Sequence, residues 1–460
     1  MLQSRAQHEY LWQPQPAAAE YIRDCVDRVC ARNKDIERWR RTLPAETGTR
    51  LIDWIDQLVV PNHPTADVEL VRVGYEFVPE PAADDHVTTW QHHEAMLPAV
   101  RIVGDAARHG HAPYQLYLKV DSVENFLVTH SLESVATIDG PAGAPWRQAR
   151  VADNEQAELW IVERHGWPGY VGPDVSPERI DLAAKHLSAF RARQRLDGAK
   201  GFAVSAELIE SAVSDLGQDW TCALFFRCER DYWQSRNSAA RVQFERQNRV
   251  GMGWANHDHH TYRCSREHFY RLIGQLERMG FFCRERFYAG DEAGWGAQVL
   301  DHPNCNITVF ADVDLSAEEV SGDFSHYPLS PRESLGTVGL WCALHGESFL
   351  VAGMHHLECQ FDFNAIREQL AKDGIKTMAP FTDFEYLKQA FTEGERWTVK
   401  PDRVAGLVVS NKIDRAQAET FRSRGAIGSH LEILQRYDGY KGFNQTGISD
   451  IIARTDPRRQ

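Results

Sequence analysis

The segment that decides the fold is residues 257–313, HDHHTYRCSREHFYRLIGQLERMGFFCRERFYAGDEAGWGAQVLDHPNCNITVFADV. Its patterns predict a strand, HDHHTYRC, then a helix, SREHFYRLIGQLERMG, and then three strands near FFCRERFYAG, WGAQVLD and NITVFADV. The apolar residues of the helix fall on one face, and Gly280 ends it. The segment is therefore predicted to fold as a βαβββ unit.

A second unit with the same order follows later in the chain. It begins HHLECQFDF, continues with the helix NAIREQLAKDG, passes through KTMAPF, a long polar insertion and AGLVVS, and ends in HLEILQR. The two copies share topology more than sequence. They predict an α+β fold in which paired βαβββ units form a curved-sheet metal cavity across residues 251–460.

Strand alternation predicts which residues of the second copy face this cavity. The apolar set that suits the helix side is Leu357, Cys359 and Phe361. The opposite set, His356, Glu358 and Gln360, is therefore assigned to the cavity. This assignment leaves His355 on the buried face.

The same test applies to the first copy. An arginine is the poorest candidate to bury under a helix, so the set that contains Arg263 is assigned to the cavity. That set includes His259 and Thr261, whereas His260 belongs to the set that packs against the helix. The first copy therefore offers His259 to the cavity.

The closing strand of the second copy adds a carboxylate. Glu432 lies in an otherwise apolar run, where a carboxylate is expensive to desolvate unless it binds a cation or a donor. The set His259, His356 and Glu432 is a facial triad that suits non-heme iron(II), although these ligand types do not exclude manganese. His430, on the same strand face, is the alternative ligand or a donor to one.

These motifs resemble the vicinal oxygen chelate superfamily, whose dioxygenases take their metal ligands in the same order along the chain. The ending EILQRYDGYKGFNQTGISDII is similar to the carboxylate-ligand strand and closing helix of 4-hydroxyphenylpyruvate dioxygenase. The run from HDHHTYRC to YAGDEAGWGAQV, with HHLECQFDF later, resembles 2-oxoadipate dioxygenase/decarboxylase. The resemblance implies that an arginine four residues after the first histidine, here Arg263, holds a substrate carboxylate.

Other residues are assigned to the substrate. The planar guanidinium of Arg263 suits a bidentate acid group, and the alternative is an internal ion pair with a residue such as Glu358. Gln360 and Gln298 are expected to face the cavity and orient polar substrate atoms. A closing helix near residues 448–452 is expected to cover the cavity and exclude water.

The predicted reaction is the decarboxylation and hydroxylation of a small 2-oxo acid, with O2 as the second substrate and Fe(II) as the cofactor. Extradiol cleavage of a catechol would require only the same three ligands. A glyoxalase-like isomerase would need a fourth ligand to zinc or nickel, for which Asp312 is the candidate. The remaining alternative is a module that binds a small molecule without catalysis.

The first half of the chain is predicted to be a mixed α/β domain over residues 1–170, followed by a helical connector over residues 171–250. Two helices are expected before residue 60, the second including residues 51–58. The β-like runs VELVRVGYEFV, YQLYLKV and AELWIVE follow, with a hairpin turn at Asp153-Asn154. Ser176-Pro177 is expected to open the connector as a helix cap.

The N-terminal half also contains the segment YQLYLKVDSVENFLVTH, which resembles the start of a βαβββ unit that has lost its ligands. Its expected role is structural support or the contact of a homodimer. The cluster His86, His92, His93 and Glu94 is a weaker candidate for metal binding, because the N-terminal half contains no second cluster of possible ligands.

Composition limits the partners and the compartment. The 51 basic minus 65 acidic residues give a net charge of −14, which disfavours nucleic acid and anionic membrane surfaces. The nine scattered cysteines contain no C-x-x-C pair and are expected to be reduced thiols. The N-terminus lacks the layout of a signal peptide, and no apolar run approaches the roughly 18 residues that span a bilayer. A cytoplasmic protein is predicted.

Overall fold

The computed structural model describes residues 12–80, 86–104, 113–382, 384–444 and 456–459, and its strands form two eight-stranded sheets. The elements of the first half are α1 (Pro16–Arg32), α2 (Lys34–Thr47), β1 (Ile55–Pro61), α3 (Ala66–Arg72), β2 (Glu76–Val78), β3 (Val87–Gln91), β4 (Ala99–Val103), β5 (Tyr114–Lys119), α4 (Val123–Thr129), β6 (Ile138–Asp139), β7 (Trp146–Asp153) and β8 (Ala157–Arg164).

The first sheet is itself a pair of βαβββ units. Its strand order is β2-β3-β4-β1-β5-β8-β7-β6, so that one unit runs from β1 to β4 and the other from β5 to β8. The two units join where β1 and β5 pair antiparallel. The unit predicted to start at YQLYLKV is present as β5 and α4, and the unit that begins at β1 was not predicted.

Two sequence predictions in this half are wrong. Residues 51–58, predicted to be helical, form one 3-10 turn over Leu51–Trp54 and then the strand β1. Because β1 is buried on both faces, its side chains lack the alternation that would distinguish a strand from a helix. The run VELVR, predicted to be β-like, is in α3, where Ala66 and Leu70 are buried one helical turn apart.

The connector region consists of four helices: α5 (Pro177–Arg191), α6 (Gly198–Leu216), α7 (Gln218–Ser235) and α8 (Ser238–Arg249). The Ser176 side chain caps α5 by accepting a hydrogen bond from the backbone N–H of Arg179. Buried aromatic residues of α7, including Phe226, pack in the same core as the helix side of the second sheet. The predicted limits of the three regions, near residues 170 and 250, stay predictions.

The second half contains the other sheet. Its elements are β9 (His257–Arg263), α9 (Phe269–Arg278), β10 (Phe282–Tyr288), β11 (Trp295–His302), β12 (Ile307–Asp314), α10 (Ala317–Ser321), α11 (Thr337–His345), β13 (His356–Gln360), α12 (Phe363–Lys372), β14 (Leu387–Phe391), β15 (Glu395–Trp397), α13 (Pro401–Val409), α14 (Arg415–Arg424) and β16 (Ala426–Arg436). The first predicted unit is confirmed strand by strand, from β9 to β12.

The second predicted unit is confirmed at both ends and wrong in the middle. β13, α12 and β16 are where the sequence predicts them, but AGLVVS lies at α13 rather than in a strand. KTMAPF is not a regular strand either: it has an isolated bridge at Thr377 and scattered backbone hydrogen bonds to residues 389–393. Pro401 opens α13, and Val404 and Leu407 are buried on one face of it. The segment predicted to be a polar insertion supplies the strands β14 and β15 instead.

The second sheet has the order β10-β11-β12-β9-β13-β16-β14, with β15 paired to β16. The first strands of the two units, β9 and β13, lie side by side and antiparallel at its centre. One face packs on α9, α12 and the connector helices. The opposite face carries a separate aromatic cluster that includes Phe287, Trp295, Trp341 and Phe443, and it is this face that holds the polar residues described below.

The weaker ligand cluster of the N-terminal half does not assemble. His92 is buried against the Tyr75 ring, with 5.4 Å between ring centroids, while the His93 side chain is 57% exposed. Among the residues that the structure describes, no group of three close metal-ligating side chains lies in this half. No helix within the described ranges is long and apolar enough to cross a membrane.

The central packing of the second sheet predicts a contrast between two valines. Val309 in β12 is fully buried and Val409 at the end of α13 is 84% exposed. We expect Val309→Ala to lower the free energy of unfolding by about 2 kcal/mol, because two buried methyl groups are lost and a cavity remains. Val409→Ala is the control and should change it by less than about 0.5 kcal/mol. Urea unfolding measures both, and equal losses would contradict this packing.

Candidate metal centre

Three side chains that the sequence predicts as metal ligands come together on the face opposite the helices. His259 from β9, His356 from β13 and Glu432 from β16 each offer a ligand atom, and these atoms lie within 4.8 Å of one another. All three residues are buried, at 5%, 8% and 3% exposure. The donors are two imidazoles and one carboxylate, held by three different strands.

A β-bulge adds a second carboxylate behind His259. In the pairing of β9 with β13, His259 lies opposite Glu358 and His257 lies opposite Cys359, so Asp258 is the extra residue. The bulge turns Asp258 to the same side as His259, and its Oδ1 is 3.1 Å from His259 Nδ1. Strict alternation would have placed these neighbours on opposite faces.

Asp258 fixes the orientation of the His259 ring. His259 Nδ1 carries the ring proton and donates it to Asp258. The lone pair of His259 therefore lies on Nε2, which points to the centre of the site. Asp258 in turn accepts two hydrogen bonds from Arg436, each of 2.9 Å, and one of 3.0 Å from Gln360. Burial alone would raise the pKa of Asp258, but Arg436 and these hydrogen bonds hold it below its usual range.

His356 is oriented in a similar way. Its Nδ1 is 2.9 Å from His355 Nδ1, and its Nε2 is 3.1 Å from Glu432 Oε2. Burial lowers the pKa of His356 to about 3 and also lowers that of His259. Both imidazoles are therefore neutral near pH 7, as metal ligation requires.

Of the two histidines beside His356, His355 is not placed as the sequence predicts, and His430 is not one of the three close ligands. His355, assigned to the face under the helix, packs against Trp341 on the other face, with 5.5 Å between ring centroids, because it precedes the first strand residue and alternation does not extend to it. His430 hydrogen bonds through Nδ1 with the carbonyl of Thr392 at 2.9 Å, and its buried Nε2 has no hydrogen-bond partner within the described part of the chain.

Two buried carboxylates face each other at the centre. Glu358 and Glu432 are partners in the β13–β16 register, and Gln389 from β14 lies 3.3 Å from an oxygen of each. Glu358 also contacts His259 Nε2. Burial, with the neighbouring charge, raises the pKa of Glu358 well above its usual range and that of Glu432 to about 7. A divalent cation would remove the repulsion between them, so the donor set fits a metal ion.

Arg263 lies on the same face with its charge poorly compensated. The residue is 2% exposed, and its nearest carboxylate oxygen is that of Asp312, 3.9 Å from Nε, rather than one of Glu358. Neither Nε nor Nη1 has a hydrogen-bond partner in the ranges that the structure covers. A buried guanidinium with free donors can accept an anionic ligand without further rearrangement of its own contacts.

The remaining predicted residues are placed differently. Asp312, the candidate fourth ligand, lies opposite Arg263 and outside the three-ligand group. Burial raises its pKa to about 7 despite Arg263. Gln360 faces the site, but its amide donates to Asp258. Gln298 does not face it: the side chain accepts from Ser325 Oγ at 2.9 Å, because alternation in β11 gives the site face to Ala297 and Val299 instead.

Aromatic side chains enclose the ligands. Phe310 lies 4.5 Å from the His259 ring and 4.8 Å from Phe443, and Phe391 lies 5.2 Å from His356, all between ring centroids. This wall lowers the local polarity and limits water around the ligands. The closing helix predicted near residues 448–452 lies outside the described residues.

Sequence reasoning missed Asp258, Gln389 and Arg436. Asp258 was missed because it lies in a β-bulge, and the local sequence pattern does not predict a bulge there. Gln389 lay in the segment predicted to be an insertion, although a glutamine that shares a strand face with Leu387 and Phe391 in LKQAF is a polar residue on an apolar face. Arg436 is the last residue of β16, and its pairing with Asp258 spans 178 residues of sequence.

No protein-family model matches the chain, and no curated protein matches it. Solved structures similar to it include methylmalonyl-CoA epimerase from Mycobacterium tuberculosis, with 12% identity over 40% of this chain and 89% of that chain and a TM-score of 0.23. A variant of 4-hydroxymandelate synthase from Streptomyces coelicolor has 14% identity over 89% and 99%, with a TM-score of 0.29. A xylose isomerase-like TIM barrel/4-hydroxyphenylpyruvate dioxygenase fusion protein has 10% identity over 92% and 57%, with a TM-score of 0.23.

These proteins are named for different reactions, and identities of 10–14% with TM-scores below 0.3 identify neither a reaction nor a substrate for this chain. The paired βαβββ units predicted from the sequence are confirmed by the strand order of the second sheet.

The Asp258–Arg436 pair gives a test of how the centre is supported. We expect Asp258→Asn to lower the free energy of unfolding by about 3–5 kcal/mol, because Arg436 is left buried without its counter-charge. The affinity of the site for a divalent metal ion should also fall by about 10- to 100-fold, since His259 loses its orienting carboxylate. Urea unfolding and titration with a divalent metal measure the two effects. Asp27→Asn is the control, since the Asp27 side chain is 67% exposed. Equally small changes in unfolding free energy and metal affinity in both variants would contradict the role assigned to Asp258.

Proposed function

We propose that the protein is an iron(II)-dependent dioxygenase that decarboxylates and hydroxylates a small 2-oxo acid. The observation that carries the proposal is the buried group His259, His356 and Glu432 beside a guanidinium, that of Arg263, with unpartnered donors. A substrate with a carboxylate can satisfy that guanidinium while its other oxygen atoms reach the ligand group.

The ligand chemistry favours iron(II). Two neutral imidazoles and one carboxylate are the donors of non-heme iron(II) sites that keep open positions for substrate and oxygen. When bound there, iron(II) supplies the one-electron chemistry by which O2 becomes reactive at ordinary temperature. The chain itself supplies the orientation of both imidazoles, through Asp258 and His355, and the aromatic wall that limits water.

Arg263 is the residue that we assign to the substrate carboxylate. Its guanidinium is fixed at the end of β9, where the backbone N–H of Arg263 donates to Ser348 Oγ at 2.9 Å. The Trp341 ring, whose centroid is 5.8 Å from the guanidinium carbon, limits its movement on one side. A bidentate carboxylate would occupy donors that are otherwise buried without partners.

The alternatives find less support at the site. A glyoxalase-like isomerase needs a fourth ligand, and Asp312 lies outside the ligand group beside Arg263. Extradiol cleavage of an unsubstituted catechol would leave Arg263 without a carboxylate to bind. A module that only binds a small molecule would have no use for oriented imidazoles, and it remains the alternative that the first experiment below separates from an enzyme.

The first experiment combines iron content with turnover. Protein loaded with iron(II) under anaerobic conditions should consume O2 and release CO2 with at least one member of a panel of 2-oxo acids, measured by an oxygen electrode and trapped CO2. His259→Ala, His356→Ala and Glu432→Gln should each retain less iron than the wild type. The loss of iron affinity in each should exceed the roughly 10- to 100-fold that follows from the loss of an outer-shell partner.

His260→Gln is the matched control, because His260 is a buried neighbour of His259 that packs against Phe226 on the helix side. It should retain iron. Iron retained in all three ligand variants would refute the metal site, and tight iron binding without O2 consumption for any 2-oxo acid would refute the reaction.

The second experiment tests the carboxylate role of Arg263. We expect Arg263→Met to raise KM for the active 2-oxo acid by about 10- to 150-fold, the equivalent of the roughly 1.5–3 kcal/mol of hydrogen bonds to a charged group. Iron content should not fall, because Arg263 is not a ligand. Arg249→Met is the control, since the Arg249 side chain is 74% exposed. An unchanged KM in Arg263→Met would show that the carboxylate binds elsewhere.

A further inference from the structure

A second reactive cluster lies at the tip of the β11–β12 hairpin. The turn HPNC places His302 and Cys305 three residues apart, and Cys222 from the first turns of α7 reaches the same point. The two sulfur atoms and a nitrogen of His302 lie within 4.8 Å of one another. None of these residues belongs to the candidate metal centre.

His302 is committed to the turn rather than free to bind a metal. Its Nε2 is 2.9 Å from the carbonyl oxygen of Met279, to which it can donate, and its Nδ1 accepts the backbone N–H of Cys305 at 3.2 Å. With both ring nitrogens engaged, the imidazole offers no lone pair to a cation. The hydrogen bonds hold Cys305 Sγ 3.9 Å from His302 Nε2.

The two thiols therefore face each other as the reactive groups of the cluster. Cys222 is fully buried and Cys305 is half-buried, so a small reagent reaches Cys305 first. The thiol of Cys222 donates a hydrogen bond to Cys305, which lowers the pKa of Cys305 to about 7, with His302 contributing and burial opposing. The Cys305 thiol also donates to the carbonyl oxygen of Asp219 at 3.2 Å, and of the two thiols its lower pKa makes it the better nucleophile towards a peroxide.

Cys305 is the cysteine whose pKa is lowered. All nine lie in the described residues and none is in a disulfide. Burial raises the pKa of each of the remaining ones: Cys25, Cys30, Cys222, Cys228, Cys264, Cys283, Cys342 and Cys359. Cys283 is also half-buried, but its pKa is raised to about 12 by burial and by Glu277. It is the matched comparison for Cys305.

We propose that Cys305 and Cys222 form an oxidation site, in which a hydroperoxide converts the two thiols into an intramolecular disulfide between the β11–β12 turn and α7. The Cys305 thiolate attacks one peroxide oxygen and the O–O bond breaks, which gives a sulfenic acid at Cys305 and, with a proton, one molecule of water or alcohol. The Cys222 sulfur then attacks the Cys305 sulfur, the S–O bond breaks, and a second water leaves. Two thiols are oxidised by two electrons, and one hydroperoxide is reduced.

The turn can accommodate the bond. Cys305 lies between the two strands, not within either, and the residue after it, Asn306, has a φ of 51°, as expected of a tight turn. The sulfur atoms already lie within 4.8 Å of each other, so the disulfide would require a movement of the Cys305 side chain and of the turn that carries it.

The experiment is peroxide titration of the full chain followed by differential alkylation and peptide mapping under non-reducing conditions. About one equivalent of hydrogen peroxide per chain should protect Cys305 and Cys222 from alkylation together and yield the peptide linked by both. Dithiothreitol should reverse it. Cys222→Ser should instead stop at a sulfenic acid on Cys305 that dimedone traps, and Cys305→Ser should leave Cys222 unmodified. Cys283→Ser is the control and should behave as the wild type.

Two results would overturn the proposal. One is wild-type protein in which Cys283 or another cysteine is oxidised before Cys305, or in which no Cys222–Cys305 peptide forms. The other is zinc that co-purifies with the wild type, is absent from Cys305→Ser and prevents oxidation, which would make the cluster a metal site. Mapping of the wild type decides the question even where a serine variant fails to fold.

Discussion

The candidate centre depends on a buried ion pair between two strands that are far apart in sequence. Arg436, the last residue of β16, donates two hydrogen bonds of 2.9 Å to Asp258, the bulged residue of β9. Neither side chain is more than 6% exposed, so neither charge could be buried without the other. Asp258 also orients His259. The contact between β9 and β16 through this ion pair therefore sets the direction in which the lone pair of His259 Nε2 points.

The charges around this pair explain why a cation suits the site. Glu358 and Glu432 add two carboxyl groups to the same buried surface, whereas burial keeps His259 and His356 neutral. Protonation of the carboxyl groups is one way to relieve their repulsion, and a divalent ion is the other. An apolar wall of Phe310, Trp341 and Phe443 strengthens either effect, since it keeps the local dielectric low.

The two sheets are built from the same βαβββ unit, but they carry different residues at their centres. From β2 to β8 the first sheet repeats the strand order of the second, with β1 and β5 at its centre where β9 and β13 lie in the other. Beyond that the two sheets differ, since β14 and β15 both pair with β16 whereas β6 pairs with β7. At the centre of the first sheet are Gln57, Tyr117 and Gln115, not histidines. Gln115 donates to Glu158 of β8, so the carboxyl group of the last strand is already satisfied by an amide. One scaffold thus occurs twice, and the described residues bring a histidine ligand set together only in the second.

The sequence by itself predicted the three candidate ligands that the structure brings together and the first unit of the second sheet. A histidine cluster followed by an amphipathic helix and three strands leaves few alternatives, and alternation separated His259 from His260 because burial of Arg263 under a helix is unfavourable. Only the tertiary structure decided the positions of Asp258, His355 and Gln298, and the strand that carries Gln389. The bulge at Asp258, the residue at which β13 begins and the face of β11 that lies towards the site are set by pairing with distant segments. The free energy of that pairing outweighs the local pattern from which these residues were predicted.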